Sequence, residues 1–337
     1  MRGTFEAEGL PRVDVTIALP PGQAGAADRY MYAAFTTLKI LGTWLVPFPD
    51  PKLSVAVERT RWWTAPPSMA PESAVARAVS RAYWSRVIDS RALGVLADGL
   101  VEYSTRRAVS KIVDERYLAV YLGRAEGRYF GGFVPRDLRV QLPADSGGSP
   151  GFRTLVTLER WVGRPVFDAI LVEFLRSSSA SPPTIDEFTA VASRVSGQDL
   201  TWFFDATLRQ PGVFDYAVEN LESAPQADGR FHTTVTVRRV GDAVFGRGLA
   251  LVTTFADGET VRDTVDGRRA GQTFEYRSPS RAVSAEVDPD RVLLLDVNHG
   301  NNGVTLDTGP GRTAATRWTA RWMIWLEDAL LTYVAFT

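Results

Sequence analysis

The chain changes its hydrophobic grammar once, near Pro211-Gly212. Before that point apolar residues recur at three- and four-residue steps, the period of a helix with one face turned inward. After it they alternate, the period of a half-buried strand. The first part opens with a predicted strand, Val13 to Leu19, which Pro20-Pro21-Gly22 ends. Helical spacing follows from Ala27 to Leu41, then Pro47-Phe48-Pro49-Asp50-Pro51 and a short strand from Leu53 to Val57. Beyond Pro66-Pro67, Pro71 opens a helix to about Ile88, with Glu72 in the first turn, where the helix dipole favours an anion. Further helices are predicted from about Ala92 to Val113 and from about Glu115 to Leu122, before a loop-rich stretch to residue 150.

Four helices with short connections then follow: Thr154 to Val162, Pro165 to Arg176, Thr184 to Val195 and Leu200 to Gln210. Thr184 with Glu187 three residues on is a capping-box pattern. From Phe214 to about Asn298 the alternation predicts strands at 233–237, 249–255, 283–287 and 292–297. Asp257-Gly258 and Asp266-Gly267 read as hairpin turns. Strands at this spacing predict a small Ig-like β-sandwich. Asn301 to Gly311 reads as a linker, and a last helix is predicted from about Ala314 to Phe336.

That last helix carries Trp318, Trp322, Trp325, Ala329 and Leu330 as one apolar stripe, with Arg317, Arg321, Glu327 and Asp328 on the polar side. Trp and Arg together suit a lipid headgroup layer, so one expectation is a membrane-surface contact. The other is that the stripe packs back on the chain's own helices. Two adjacent acids and the short apolar run after them exclude a membrane span.

Composition narrows the chemistry. Lys plus Arg number 38 against 39 Asp plus Glu, so no global field invites nucleic acid. The bases are nearly all Arg, as in proteins of GC-rich bacterial genomes. Cysteine is absent, which removes disulfides and thiolate metal sites and leaves the redox compartment open. Only two histidines occur, His232 and His299, and each reads as a surface or internally satisfied residue. Asp263, Asp266, Asp288 and Asp290 have the chemistry for a hard cation, but turn formation accounts for them better. No Gly-x-Ser-x-Gly elbow occurs, no apolar h-region follows Met1, and no run of about 18 apolar residues spans a bilayer. The compartment stays open.

Several segments together resemble the aminopeptidase N family of zinc metallopeptidases, the gluzincins, whose catalytic domain is thermolysin-like. Pro47-Phe48-Pro49-Asp50-Pro51-Lys52-Leu53 is similar to the family's YPYPKLD segment. Ala76 to Trp84 (ARAVSRAYW) and Leu96 to Tyr103 (LADGLVEY) resemble its zinc helix and the next, HExxHQWW and LNEGFAEY. Residues 196–205 (SGQDLTWFFD) are similar to SGRDLSWFFD, and this stretch is the most specific of the set. The resemblance covers roughly residues 10–300. It implies a multidomain α+β protein: a mostly helical thermolysin-like remnant at 1–150, a helical bundle completing it at 151–212, the Ig-like sandwich at 213–300, a linker at 301–313 and the amphipathic helix at 314–337. The family's N-terminal β-domain has no counterpart in the sequence, which implies an N-terminally truncated member. The family's GxMEN loop is matched only by residues 61–69, which include Trp62-Trp63 but lack that order.

A zinc hydrolase helix needs two imidazoles at i and i+4 and a Glu beside the first as general base. On the resemblance those positions hold Arg77, Ala78 and Arg81, and the third ligand's position holds Asp98. The family's oxyanion-stabilising tyrosine belongs before the helix at Phe152, where residues 145–151 contain none. A guanidinium stays protonated and has no lone pair for a metal. Zinc is therefore the family's cofactor, but its ligands are missing and no cofactor is expected here. A buried Asp98 would need a counter-charge, so Arg77 or Arg81 is expected to pair with it. Asp98 and Glu102 at i and i+4 read either as a paired-acid site or as a salt-bridged face, with Arg106 next in step. Tyr83, Trp84 and Tyr103, and likewise Trp62 and Trp63, read either as cleft contacts or as core. The expected role is a catalytically inactive peptide- or protein-binding module. The alternative is a zinc aminopeptidase completed by a partner chain.

Overall fold

A computed structural model describes residues 1–19, 21–57, 70–88, 93–112, 148–177 and 183–306. The described residues are mixed α+β, with seven helices and three small sheets. They fall into two compact units, 1–201 and 202–306. The helix expected over Glu115–Leu122, Trp62-Trp63 and the C-terminal helix lie outside the described residues. Among those described, no helix is long and apolar enough to cross a membrane.

The first unit begins with a three-stranded sheet, β1 (Arg2–Phe5), β2 (Val13–Ala18) and β3 (Lys52–Ala56), in the order β1-β2-β3. β2 pairs antiparallel with β1 and parallel with β3. Its alternation buries Val13, Val15 and Ile17, as the sequence pattern requires. β1 has only four residues and buries only Phe5, so periodicity gave no sign of it.

Helix α1 (Ala27–Trp44) crosses between β2 and β3, as a parallel pair demands. Helices α2 (Ala70–Val87) and α3 (Val95–Ile112) follow, and the three pack on one another. Then come α4 (Pro150–Val162), α5 (Arg164–Ser177) and α6 (Ile185–Ser196). Ser149 caps α4 by accepting from Phe152 N, with Pro150 at the first turn. The predicted capping box is present on α6: Thr184 Oγ1 accepts from Glu187 N, and Glu187 accepts from Thr184 N at 2.9 Å. Gly197 ends that helix in the left-handed region, φ 68°, where glycine carries no steric cost.

The second unit starts within α7 (Thr201–Phe204), which runs on into a π-helical turn, Asp205–Arg209. Phe203 and Phe204 are fully buried there, and Trp202 stacks edge-on against Phe245. One sheet holds β4 (Tyr216–Pro225), β5 (Phe231–Arg239) and β8 (Gly271–Ser278). The other has the order β10-β9-β6-β7, from β6 (Leu249–Phe255), β7 (Thr260–Val265), β9 (Ala282–Val287) and β10 (Gly303–Thr305). All pairings are antiparallel, and β4 lies against β9 and β10. Asp257-Gly258 forms the expected β6–β7 hairpin. Asp266-Gly267 does not form a hairpin, because the chain there crosses from β7 to β8 in the other sheet. The Tyr216 hydroxyl secures that crossing, donating to Gly267 O at 2.8 Å and accepting from Phe245 N at 2.9 Å.

Two expectations fail at the far end of this unit. The predicted linker begins with β10 instead. Residues 292–297 form turns rather than a strand, with one isolated bridge, Phe214 to Asp296. The cause is local. Asp288 and Arg291 take positive φ, 51° and 54°, and the buried Asp288 carboxylate accepts from Val292 N and Leu293 N. Backbone donors that a sheet would use are thereby satisfied by a side chain.

Asp296 is a second buried acid of this loop, accepting from Tyr216 N at 3.1 Å and Asn298 N at 2.9 Å. Burial pushes its carboxyl up to about 7, and the charges of Asp215 and Asp288 add to the rise. A folded pKa above the unfolded value of about 4 means the folded state holds the extra proton. The stabilisation is complete below about pH 4 and lost as pH rises through about 7, with an upper bound of roughly 4 kcal/mol. Urea unfolding of the wild type should therefore show lower stability at pH 8 than at pH 5. Asp296→Asn should flatten that difference; an unchanged slope in the variant would exclude Asp296 as its source.

Candidate functional site

Three of the segments that resemble the peptidase motifs, 47–53, 76–84 and 96–103, meet around α2. Its inner side buries Val75, Ala76, Val79, Ser80, Tyr83 and Trp84. Tyr83 and Trp84 reach in opposite directions. The Tyr83 hydroxyl donates to Val46 O at 2.6 Å and accepts from Val46 N at 3.1 Å, while its ring packs on Phe48. Trp84 donates its indole N–H to Ser104 Oγ at 2.8 Å, beside Tyr103 on α3. Arg86 adds an ion pair to Asp50 at 3.2 Å. Two adjacent aromatics of one helix thus tie the Pro47-Phe48-Pro49 turn to α3. Tyr83 and Trp84 are core residues, at 0% and 1% exposure, so they are not cleft contacts.

Tyr103 is also buried, its ring against Phe167 and Trp44. Burial pushes its phenol up, the nearby Glu159 carboxylate raises it further, and the Arg107 charge opposes. Glu159 in turn is pushed up by its own burial, against the pull of Tyr103 and Arg164.

The outer side of α2 is different. Arg77 and Arg81 are exposed and Ala78 is half-buried. Asp98 on α3 is exposed too. The expected pair between Asp98 and Arg77 or Arg81 is not formed; an acid left in water needs no counter-ion, and that removes the premise of the expectation. The more enclosed carboxylate on α3 is Glu102, one turn further along. Its partner is Arg106, as the salt-bridged-face reading requires, and it also accepts from Ser149 N at 2.9 Å. Burial alone would raise the Glu102 carboxyl, but Arg106 and the Ser149 N–H outweigh it and hold the group below the usual glutamate range. Arg106 lies over the Phe152 ring, 4.0 Å from its centroid.

α3 and α4 approach most closely at two glycines. A Cβ on Gly99 would stand 2.4 Å from the Gly151 carbonyl carbon, and one on Gly151 would stand 2.0 Å from Val95 O. Two further ion pairs have no local signature in the sequence. Arg29 donates to both Glu72 oxygens at 2.7 and 2.8 Å, and Arg107 holds Asp168 while lying 3.7 Å over Trp44. Their partners are 43 and 61 residues apart in the chain, beyond any local pattern.

His232 lies on β5 facing Glu275 at 3.6 Å, and Asp263 accepts from the Tyr276 hydroxyl at 2.7 Å. Asp266 caps its own turn, and Asp290 pairs with Arg262. Among the described residues no group of three or more His, Cys, Asp or Glu side chains could hold a metal ion.

No family model matches the chain, and no curated protein matches it in sequence. Among solved structures it is similar to the crystal structure of Legionella pneumophila aminopeptidase A in complex with aspartic acid, at a TM-score of 0.58 and 10% identity. The match covers 88% of this chain and 38% of that one. The likeness is one of fold. The chain spans well under half of that neighbour's length.

Two substitutions test the joints just described. Gly99→Ala should cost about 1–3 kcal/mol in urea unfolding, since the backbone opposite must move; a loss under half a kcal/mol would show that α4 shifts freely. Glu102→Gln should cost about 1–3 kcal/mol at neutral pH by leaving Arg106 without its charge partner. Because the folded Glu102 pKa is depressed, its stabilisation is present above the unfolded value of about 4.3 and lost as pH falls through the lower folded one. The variant should therefore lose less stability than the wild type between pH 5 and pH 3.

Proposed function

We propose that this protein is a degenerate member of the aminopeptidase N family, a peptidase fold without peptidase chemistry that serves as a peptide- or protein-binding module. The supporting observation is the division of α2 into two sides. Its inner side keeps the aromatic pair that ties residues 46–48 to α3. Its outer side, where the resemblance expects His, Glu and His, holds Arg77 and Arg81 in solvent with a half-buried Ala78 between them. Two guanidiniums carry permanent charge and no lone pair, so they repel a cation rather than bind it. Ala78 can move no proton. These residues do not fit a zinc ion, and no catalytic step is derived through one. The two antiparallel sheets of residues 216–305 accord with the Ig-like sandwich that the resemblance implies after the catalytic domain.

The test is direct. The purified chain, assayed with and without added zinc on a broad panel of aminoacyl and peptide substrates, should show no turnover. Metal analysis should find zinc far below one equivalent. Stoichiometric zinc together with chelator-sensitive hydrolysis would overturn the reading in favour of a peptidase.

A further inference from the structure

The outer side of α2 also indicates what kind of peptide such a module would take; this rests on the reading above. Arg77 and Arg81 stand one helical turn apart, both exposed, and neither makes an ion pair or hydrogen bond among the described residues. Other arginines of this unit are engaged: Arg29 with Glu72, Arg106 with Glu102, Arg107 with Asp168 and Arg86 with Asp50. Like charges at i and i+4 on a helix cost a few tenths of a kcal/mol, about as much as an opposite pair would gain. No acid on α2 or α3 offsets that cost. Glu72 and Glu102 are committed elsewhere, and Asp98 is exposed without forming a pair to either arginine.

The positions around the two arginines are Ala74, Ala78, Ala82 and Ser85, all half-buried or exposed. Their short side chains leave room for another backbone to lie along the helix. Four helical residues advance about 6 Å. Alternate residues of an extended chain advance about 6.6 Å and point to the same side. Carboxylates at alternate positions of an extended segment therefore match the two guanidiniums in spacing and in charge, and each guanidinium can grip a carboxylate with two hydrogen bonds.

We propose that the exposed face of α2 docks an acidic peptide segment in extended form, with carboxylates at alternate positions received by Arg77 and Arg81. Both contacts lie in solvent, so each is weak on its own and sensitive to salt.

The probes are a fluorescein-labelled peptide of alternating Ala and Glu and its counterpart with Gln for Glu, followed by fluorescence anisotropy at low and high salt. The Glu peptide should bind roughly tenfold or more tightly than the Gln peptide at low salt, and the difference should shrink at high salt. Arg77→Glu/Arg81→Glu should abolish that preference, with an unchanged circular dichroism spectrum and melting temperature. Lys39→Glu/Lys52→Glu, the same charge change at exposed positions elsewhere on this unit, should retain it. Binding of neither peptide, or a preference that survives the arginine double variant, overturns the proposal. Equal binding of both peptides also overturns it while leaving a non-catalytic peptide binder. Zinc-dependent cleavage of either peptide would instead sink the functional reading itself.

Discussion

The first unit depends on how α2 is held between its neighbours. Trp84 and Tyr83 are large, fully buried and polar at one end, and each polar end meets a partner on a different element. An aromatic of this size contributes its apolar area only if its N–H or O–H is satisfied, because an orphaned donor in the core would cancel much of the gain. The Val46 backbone and the Ser104 hydroxyl meet that condition. With them in place α2 can turn only one side inward, which fixes Arg77, Ala78 and Arg81 on the outside. The face that would carry chemistry is thus set by residues that take no part in chemistry.

Helices and strands with a full apolar stripe were legible from sequence, and β6 matches its expected span residue for residue. The capping box on α6 and the hairpin at Asp257-Gly258 were legible for the same reason: their causes lie within a few residues. What escaped has non-local causes. β1 is a strand only because β2 offers it an edge. Residues 292–297 alternate well enough for a strand, yet Asp288 captures the amides and bends them away. The Arg29–Glu72 and Arg107–Asp168 pairs are joined only by the folded chain.

At the candidate site, the structure decides depths that the sequence left open. Tyr83, Trp84 and Tyr103 lie in the core, the plainer of the two readings. Glu102 with Arg106 is a salt-bridged face, as the i and i+4 spacing suggested. Asp98 was assumed buried because a zinc ligand in its place would be, but its environment is solvent. A motif fixes the helix on which a residue sits; depth follows from what packs on that helix, and that is long-range.

The contact of Gly99 with Gly151 has a consequence for how such proteins are recognised. Two backbones touch there with no side chain between them, so the requirement at Gly99 is one of distance and is indifferent to reactivity. Whatever chemistry the chain does, it must keep this residue to bring α3 against α4. The same holds for Trp84 and Tyr103, whose environments ask for shape and one hydrogen bond. Much of the LADGLVEY segment therefore answers to packing, and matching it speaks of architecture rather than of activity.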